Sequence, residues 1–256
     1  MPKVIGTAGR YAADQSMRAF QRMLMTTMFV AVAISVFEGA IVSNLLLRGG
    51  SKPLSALAGA ILGTVIVWRL FKAQNRRIDL YERERHTWRS GAEGERVVAI
   101  ALDRLSKNFV VFHDFNTARG NFDHLVVGPS GIFAVETKNF RGTITADGEG
   151  ELMQDGTPSS QPYVKQLVRR IMAVREQVVA LTGREVFIQG VMVFPKARVD
   201  AKFGTTRNVH CVRDGQLCGY IENEKFDRRL TAEEIDLVTR AFQGIAGMDA
   251  DFRNAA

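Results

Sequence analysis

A long apolar run near the N-terminus places the tightest limit on how this chain can fold. Leu24–Leu47 covers 24 residues and contains a single charged side chain, Glu38. At about 1.5 Å per residue, a helix of this length is roughly 36 Å long and crosses a bilayer core of about 30 Å. A shorter apolar run, Leu54–Phe71, follows a break that contains glycine and proline. The two runs predict a transmembrane helical hairpin over residues 23–73.

Basic side chains indicate the orientation of this hairpin. Four precede the first run, two lie in the connecting turn, and six lie between the second run and residue 90. The positive-inside rule then places both termini in the cytoplasm. We therefore expect a bacterial inner-membrane protein with two spans, a cytoplasmic segment at residues 1–22 and a charged helical stalk at residues 74–90, which Ser90 and Gly91 end.

The net charge of the chain is concentrated in this membrane part. The first 90 residues carry 13 basic and five acidic side chains, a net charge of +8, whereas the whole chain carries +7. Residues 91–256 are therefore nearly neutral, and the pI of about 9.7 is not evidence for nucleic-acid binding. The two cysteines, Cys211 and Cys218, do not match the spacing of a zinc site.

Two features of the hairpin leave other membrane roles open. Glu38 lies in the middle of the first span, where a charged carboxylate costs roughly 2.5–3.5 kcal/mol. Ser55, Gly59 and Gly63 place small side chains on one ridge of the second span, which suits close packing against the first span or another protomer. The lipid bilayer is thus an expected partner, a homo-oligomer through the hairpin is an alternative to a monomer, and a small channel-like protein is a third functional hypothesis.

Residues 91–247 alternate between helix and strand patterns. Apolar positions at helical spacing predict helices over Ala92–Leu105 and Tyr163–Leu181, and a capping box at Thr231–Glu234 opens a last helix. Outside this domain's central hairpin, the other predicted strands include Phe109–Phe112, Val186–Phe194 and Asn208–Val212. This order indicates an α/β domain with a mixed sheet flanked by helices, followed by a flexible tail at residues 248–256.

A predicted β-hairpin at Asn121–Asn139 carries charged side chains at one end. Its two apolar strands are joined by the turn Gly128–Gly131. The alternation of side chains brings Asp123, Glu136 and Lys138 together at the open end of the hairpin. Two carboxylates and an ammonium group on a buried sheet are costly unless they are paired or bind a metal ion.

The flanking helices add polar groups to this end of the hairpin. Glu95 lies in the first turn of its helix but on the apolar face, and Gln166 lies near the start of the long helix. Two carboxylates suit Mg²⁺, and a neighbouring lysine can orient or help to deprotonate a bound water. The alternative is structural: Glu136 and Lys138 form an ion pair at a strand end, and Asp123 caps a turn.

Several short motifs follow one another in a fixed order along this domain. They are Gly91-x-x-Gly94-Glu95, Asn121-Phe122-Asp123-His124, Gly128-Pro129-x-Gly131, Glu136-Thr137-Lys138-Asn139 and Gly142. Over about residues 88–205 they resemble the NERD (nuclease-related) domain of the PD-(D/E)xK nuclease superfamily. The resemblance implies a restriction-endonuclease-like core, Mg²⁺ or Mn²⁺ as cofactor, and cleavage of phosphodiester bonds.

The resemblance also implies roles for individual residues. The implied catalytic residues are Glu95, Asp123, Glu136, Lys138 and Gln166. Of these, the three acids would hold the metal ion.

The glutamine assignment has a competitor in Gln161. The family often has asparagine before the proline at Pro162, where this chain has Gln161, and Gln166 is the better match to the helix glutamine. A tryptophan is also common ahead of that proline, and none occurs between Trp88 and the chain end.

The first functional hypothesis is a membrane-anchored, Mg²⁺-dependent nuclease that cleaves DNA at the cytoplasmic face. Basic side chains would hold the phosphate backbone. The predicted nucleic-acid-binding residues are Lys165, Arg169, Arg170 and Lys196. The second hypothesis is a membrane-tethered scaffold that binds nucleic acid or a partner protein without cutting.

Overall fold

The computed structural model describes residues 1–47, 86–117, 120–201, 209–223 and 229–255, together with five single positions between residues 65 and 82. The chain divides into two compact units. One combines Met1–Tyr11 with Ser90–Ala256, and the other is Ala12–Arg89. Apart from those single positions, the predicted second span and most of the predicted stalk lie outside the described residues.

The helices and strands are numbered in chain order. They are β1 (Lys3–Ile5), α1 (Arg10–Leu47), α2 (residues 86–102), β2 (Val110–Thr117), β3 (Gly120–Gly128), β4 (Gly131–Thr137), β5 (Thr143–Ala146), β6 (Leu152–Gln154), β7 (Thr157–Pro158), α3 (Tyr163–Thr182), β8 (Ile188–Val193), β9 (Arg198–Val199), β10 (Val209–Val212), α4 (Asp214–Asn223) and α5 (Ala232–Ala255).

Helix α1 begins well before the apolar run and continues to its end. Its segment Ala12–Val36 contains an 18-residue window with a mean hydropathy of 1.5 and is, within the described part of the chain, the one helix long and apolar enough to cross a membrane. This assignment depends on length and composition alone, so the two-helix hairpin remains a prediction. The side chain of Glu38 lies outside what the structure describes.

A six-stranded mixed sheet forms the centre of the unit that contains Ser90–Ala256. Its spatial order is β1-β2-β3-β4-β8-β10. Strands β2, β3 and β4 pair antiparallel, while β1 with β2, β4 with β8, and β8 with β10 pair parallel. Because parallel neighbours need a long connection, the chain between β4 and β8 carries helix α3.

Helices cover both faces of this sheet. On one face, α3 and α5 contribute to a core that includes Phe242 and Leu125. On the other, α2 and α4 contribute to a core that includes Leu102 and Val126. Successive residues of β3 therefore enter different cores, as side-chain alternation requires. The predicted α/β architecture with a mixed sheet flanked by helices is confirmed.

A small four-stranded sheet, in the order β7-β6-β5-β9, combines three strands from the connection between β4 and α3 with β9, which follows β8. It fixes the start of helix α3. The carboxylate of Glu151 accepts the N–H groups of Val164 at 3.1 Å and Lys165 at 2.8 Å. An acid at a helix N-terminus also interacts favourably with the helix dipole, so this contact stabilises the first turn of α3.

The sequence predicts that the charged stalk ends at Ser90 and Gly91, but helix α2 continues through both residues. Residues 86–102 form one continuous helix. Among the described atoms, none lies within 4 Å of the place that a Cβ at Gly91 would occupy. The helix therefore passes through this glycine at no more than the usual cost of about 1 kcal/mol.

Three further features were not predicted. Strand β1 is a three-residue edge strand, α4 buries Leu217 and Ile221, and α5 continues through the expected tail to Ala255. Short elements such as β1 contain too few residues for a periodic pattern to appear. The capping box before α5 is confirmed, since Thr231 N–H donates to Glu234 Oε2 at 2.9 Å and Glu234 N–H donates to Thr231 Oγ1 at 3.3 Å.

Candidate active site

The β3–β4 hairpin brings two acids to its open end. The regular register of the hairpin places His124 opposite Val135. Asp123 and Glu136 are the next residues along the two antiparallel strands, so they lie opposite each other. Glu136 is only 6% exposed and belongs to a strand that is buried along its whole length.

Asp123 accepts a hydrogen bond from the backbone N–H of Thr137 through its Oδ2 atom, at 2.6 Å. Burial raises the pKa of Asp123 well above its ordinary value, and repulsion from Glu136 and Glu95 raises it further. Lys138 and the Thr137 N–H lower the pKa without cancelling this rise. The charges of Glu136 and Glu95 therefore act directly on Asp123.

Glu136 is paired with two cations. Its Oε1 atom lies 2.8 Å from Lys138 Nζ, and its Oε2 atom lies 3.0 Å from Arg170 Nη2. Burial alone would raise the pKa of Glu136, but the two cations outweigh burial and hold the pKa below its ordinary value. Glu136 is therefore ionised at neutral pH.

Lys138 lies between Glu136 and an aromatic ring. Its Nζ atom is 4.8 Å from the ring centre of Tyr163, the first residue of α3. Burial lowers the pKa of Lys138, but attraction to Glu136 and Asp123 outweighs burial and leaves the pKa above its usual value. The side chain is thus an ammonium group, which donates hydrogen bonds and accepts none.

Helix α2 brings Glu95 to the same region because Gly94 permits a close approach. A Cβ at Gly94 would lie 3.2 Å from the Cβ atom of Asn139 and 3.3 Å from the Cγ2 atom of Thr137. Asn139 also fixes the helix through its side-chain amide, which donates to the backbone oxygen of Ser90 at 2.7 Å. The Gly-Glu pair of the first motif therefore has a packing role as well as a chemical one.

The environment of Glu95 strongly disfavours its charge. Burial is the main cause, followed by repulsion from Asp114 and Glu136, and together they raise the pKa of Glu95 to about 7. The N–H of Gly9 and the charge of Lys138 lower the pKa in part. Within the described residues, the buried Oε2 atom of Glu95 has no hydrogen-bond partner. A buried acceptor in this state costs free energy that a bound ligand would recover.

The N-terminal segment reaches this site, which the sequence did not indicate. After β1, Gly6 adopts a φ of +88°, and a Cβ there would lie 2.4 Å from the carbonyl oxygen of His113. The N–H of Arg10 then donates to Asp114 Oδ2 at 2.6 Å, next to the N–H of Gly9 that lowers the pKa of Glu95. In hindsight the glycines at positions 6 and 9 were the available sequence signal.

The two candidate glutamines lie side by side. The Nε2 atom of Gln166 donates to Oε1 of Gln161 at 3.3 Å. Gln166 is one helical turn before Arg170 and three residues after Tyr163, so it shares their face of α3. The structure therefore brings Gln166 to the side of α3 that faces Glu136, but it does not separate Gln166 from Gln161.

The four predicted nucleic-acid-binding residues divide into three groups. Lys165 and Arg169 are exposed on α3. Lys196 lies 3.3 Å from Glu93 Oε2 and so forms an ion pair. Arg170 turns inward to Glu136 and does not extend the basic outer face. The helical period explains this difference, because Arg169 and Arg170 are about 100° apart around the helix.

The donor set fits a hard divalent cation, although the side chains are not gathered around one. In the described part of the chain, no three His, Cys, Asp or Glu side chains are close enough together to hold a metal ion. The oxygens of Glu136 face Lys138 and Arg170 instead. The fit rests on the mutual repulsion of Glu95, Asp123 and Glu136 and on the unsatisfied Oε2 atom of Glu95, since carboxylate oxygens are preferred ligands of Mg²⁺.

The fold and the site together define the class of protein domain to which this part of the chain is similar. A mixed α/β sheet carries an Asp and a Glu-x-Lys pair at the end of one hairpin, with a further acid supplied by the preceding helix. This is the arrangement of a PD-(D/E)xK-type nuclease domain.

Residues 90–195 match the family model described as NERD, nuclease-related domain. Over this segment the chain is therefore similar to nuclease-related domains. No curated protein and no solved structure matches the chain.

Proposed function

We propose that this protein is a membrane-anchored nuclease that uses Mg²⁺ or Mn²⁺ to hydrolyse phosphodiester bonds of DNA at the cytoplasmic face of a bacterial inner membrane. The observation that carries the proposal is the mutual repulsion of Glu95, Asp123 and Glu136 beside Lys138, in a segment that matches the nuclease-related family. Such a cluster of buried acids opposes folding, which favours a role for it in function.

Each residue of the cluster has a distinct task in this proposal. Glu95, Asp123 and Glu136 would hold the divalent cation, which would lower the pKa of a bound water and neutralise phosphate charge. Lys138 donates a hydrogen bond that orients the attacking water and stabilises charge developing on the phosphate. Gln166, on the neighbouring face of α3, completes the set of proposed catalytic residues.

Exposed basic side chains hold the nucleic acid outside this cluster. Lys165 and Arg169 lie on the exposed side of α3 and bind backbone phosphates. Lys196 joins them when its ion pair with Glu93 opens, and that pair is exposed and therefore weak. Contacts to phosphates carry little sequence information, so cleavage with little sequence preference is expected.

The membrane part of the proposal depends on helix α1 and on the predicted second span. Helix α1 contains the candidate span Ala12–Val36. With residues 23–73 as the hairpin and 74–90 as the stalk, residues 91–247 form the nuclease domain close to the bilayer, and residues 248–256 follow it.

One observation favours a second function, a membrane-tethered scaffold that binds nucleic acid or a partner without cutting. Glu136 is already neutralised by Lys138 and Arg170, which is a stable arrangement without any cation. A domain that has lost catalysis would keep these ion pairs and still bind nucleic acid through Lys165 and Arg169.

The decisive experiment incubates the full-length protein, purified in detergent, with plasmid DNA, single-stranded DNA and RNA in Mg²⁺ or in EDTA. We expect Mg²⁺-dependent cleavage of DNA that is lost in Glu136→Gln and Lys138→Met. Glu149→Gln and Lys107→Met are matched controls, because both side chains are exposed. Binding without cleavage under every divalent cation would support the scaffold, and full activity in Glu136→Gln would exclude the assigned site.

A further inference from the structure

Arg170 lies against the site carboxylate and not on the outer surface of α3. Its Nη2 atom is 3.0 Å from Glu136 Oε2, and its Nη1 atom donates to the backbone oxygen of Asn121. Its guanidinium carbon is 5.5 Å from the ring centre of Phe122. At Gly120, which has a φ of +120°, a Cβ would lie 3.1 Å from Arg170 Cδ. Residues of strand β3 therefore hold the guanidinium group of Arg170 next to Glu136.

Glu136 cannot offer the same oxygen to Arg170 and to a divalent cation. Lys138 occupies Oε1 and Arg170 faces Oε2, so both oxygens already have a cationic neighbour. A divalent ion near Oε2 would also be repelled by the guanidinium. Cation binding therefore requires Arg170 to leave Glu136, and the affinity for the cation is lowered by the free energy of that ion pair.

A nucleic-acid phosphate is a suitable second partner for the displaced guanidinium. The side chain of Arg170 is 19% exposed, so it reaches solvent from its present position. Lys165 and Arg169, on the same helix, would bring phosphates close to it. A phosphate accepts two parallel hydrogen bonds from a guanidinium, which makes it a better partner than a carboxylate that is already bound to a cation.

We propose that Arg170 couples cation binding to nucleic-acid binding: it pairs with Glu136 in the ligand-free protein and turns to a nucleic-acid phosphate when a divalent cation takes Glu136. The proposal rests on the proposed function, since it needs a site that takes both ligands. Thermodynamic linkage then requires that each ligand increases the affinity for the other by the same factor.

The test measures Mn²⁺ binding to the full-length protein by electron paramagnetic resonance, with and without a short phosphorothioate oligodeoxynucleotide. The variants are Arg170→Met, which keeps the aliphatic length but not the charge, and Lys107→Met, the control. Lys107 is exposed, has no place in the proposed site and also loses one positive charge. Circular dichroism checks the fold of each variant, and Arg170→Lys is used if Arg170→Met does not fold.

Without the oligonucleotide, we expect Arg170→Met to bind Mn²⁺ about tenfold or more tightly than the wild type, because no ion pair has to break. Lys107→Met should stay within about twofold of the wild type, since a charge exposed to water acts weakly at a distance. The oligonucleotide should tighten Mn²⁺ binding to the wild type by a clearly larger factor than it tightens Mn²⁺ binding to Arg170→Met. Arg170→Lys should lie between the wild type and Arg170→Met.

Equal Mn²⁺ affinity in the wild type and Arg170→Met overturns the coupling, and so does an oligonucleotide effect of the same size in both proteins. The proposed function fails in a different way. In that case neither protein binds Mn²⁺ with or without the oligonucleotide, and no cleavage occurs.

Discussion

The Oδ2 atom of Asp123 and the backbone N–H of Thr137 lie 2.6 Å apart and join β3 to β4 at the open end of the hairpin. One carboxylate thus has two tasks. It satisfies a backbone donor, and it faces Glu136 across the strands.

Replacing Asp123 separates these two tasks. Asp123→Asn keeps an oxygen for the Thr137 N–H but removes the charge, so we expect a near-normal melting temperature with reduced nuclease activity. The loss should be at least about tenfold, since losing even a residue that only supports a metal ligand costs about 10–100-fold. Asp123→Ala loses the acceptor as well and should cost a further 1–3 kcal/mol or so of unfolding free energy. Activity assays and urea unfolding measure the two effects. An active Asp123→Asn protein would show that the charge is dispensable.

The raised pKa of Glu95 predicts a pH dependence of stability in EDTA. Because the pKa of Glu95 in the fold is about 7 and its ordinary value is 4.5, the folded state favours the protonated acid. Its stabilising contribution is complete below about pH 4.5 and is lost as the pH rises through about 7. Glu95→Gln lacks this titration. Its free energy of unfolding should therefore rise relative to that of the wild type, by up to about 3 kcal/mol, as the pH increases from about 4.5 to about 7.

Urea unfolding at a series of pH values checks this expectation. Glu149→Gln, an exposed acid, should follow the wild type at every pH. Parallel pH curves for Glu95→Gln and the wild type would show that Glu95 has an ordinary pKa. Saturating Mg²⁺ should reduce the difference between them, because a bound cation stabilises the ionised acid.

Replacement of Gly94 and of Gly91 by alanine, both in α2, should change the stability of the protein in opposite directions. Gly94→Ala places a Cβ about 3.2–3.3 Å from Asn139 and Thr137, so we expect a loss of roughly 1–3 kcal/mol through overpacking. Gly91→Ala meets none of the described atoms within 4 Å and should stabilise the helix by about 0.5–1 kcal/mol. Thermal unfolding compares them, and a neutral Gly94→Ala would contradict the close approach of α2 to β4.

The N-terminal segment should be part of the folded domain, although it lies outside the residues matched to the nuclease-related family. Gly6→Ala forces a Cβ to within 2.4 Å of the His113 oxygen at a positive φ, and we expect a loss of at least about 1–3 kcal/mol. Gly148→Ala, in an exposed turn with no described atom nearby, should be neutral. Equal stability of the two variants, measured by urea unfolding, would show that β1 does not pack as described.

Local patterns predicted much of the domain. The alternation in β3 and β4, the apolar face of α3 and the capping box at Thr231 are each encoded within a few neighbouring residues. The motif around Glu136 and Lys138 likewise needs only the two-residue period of a strand. Elements without a local pattern were missed, namely the three-residue strand β1 and helix α4, which packs against the sheet through Leu217 and Ile221.

The apolar run Leu24–Leu47 and the hairpin acids are properties of the sequence by itself, because length, hydrophobicity and strand alternation are written in adjacent residues. Only the tertiary structure decided that Arg170 faces Glu136 and that Gly9 reaches Glu95. These contacts join residues that are far apart in the chain. They depend on how α3 packs on the sheet and on how β1 pairs with β2. The sequence therefore predicts the acids and the lysine of the hairpin. It does not predict that the guanidinium group of Arg170 pairs with Glu136 in the ligand-free protein.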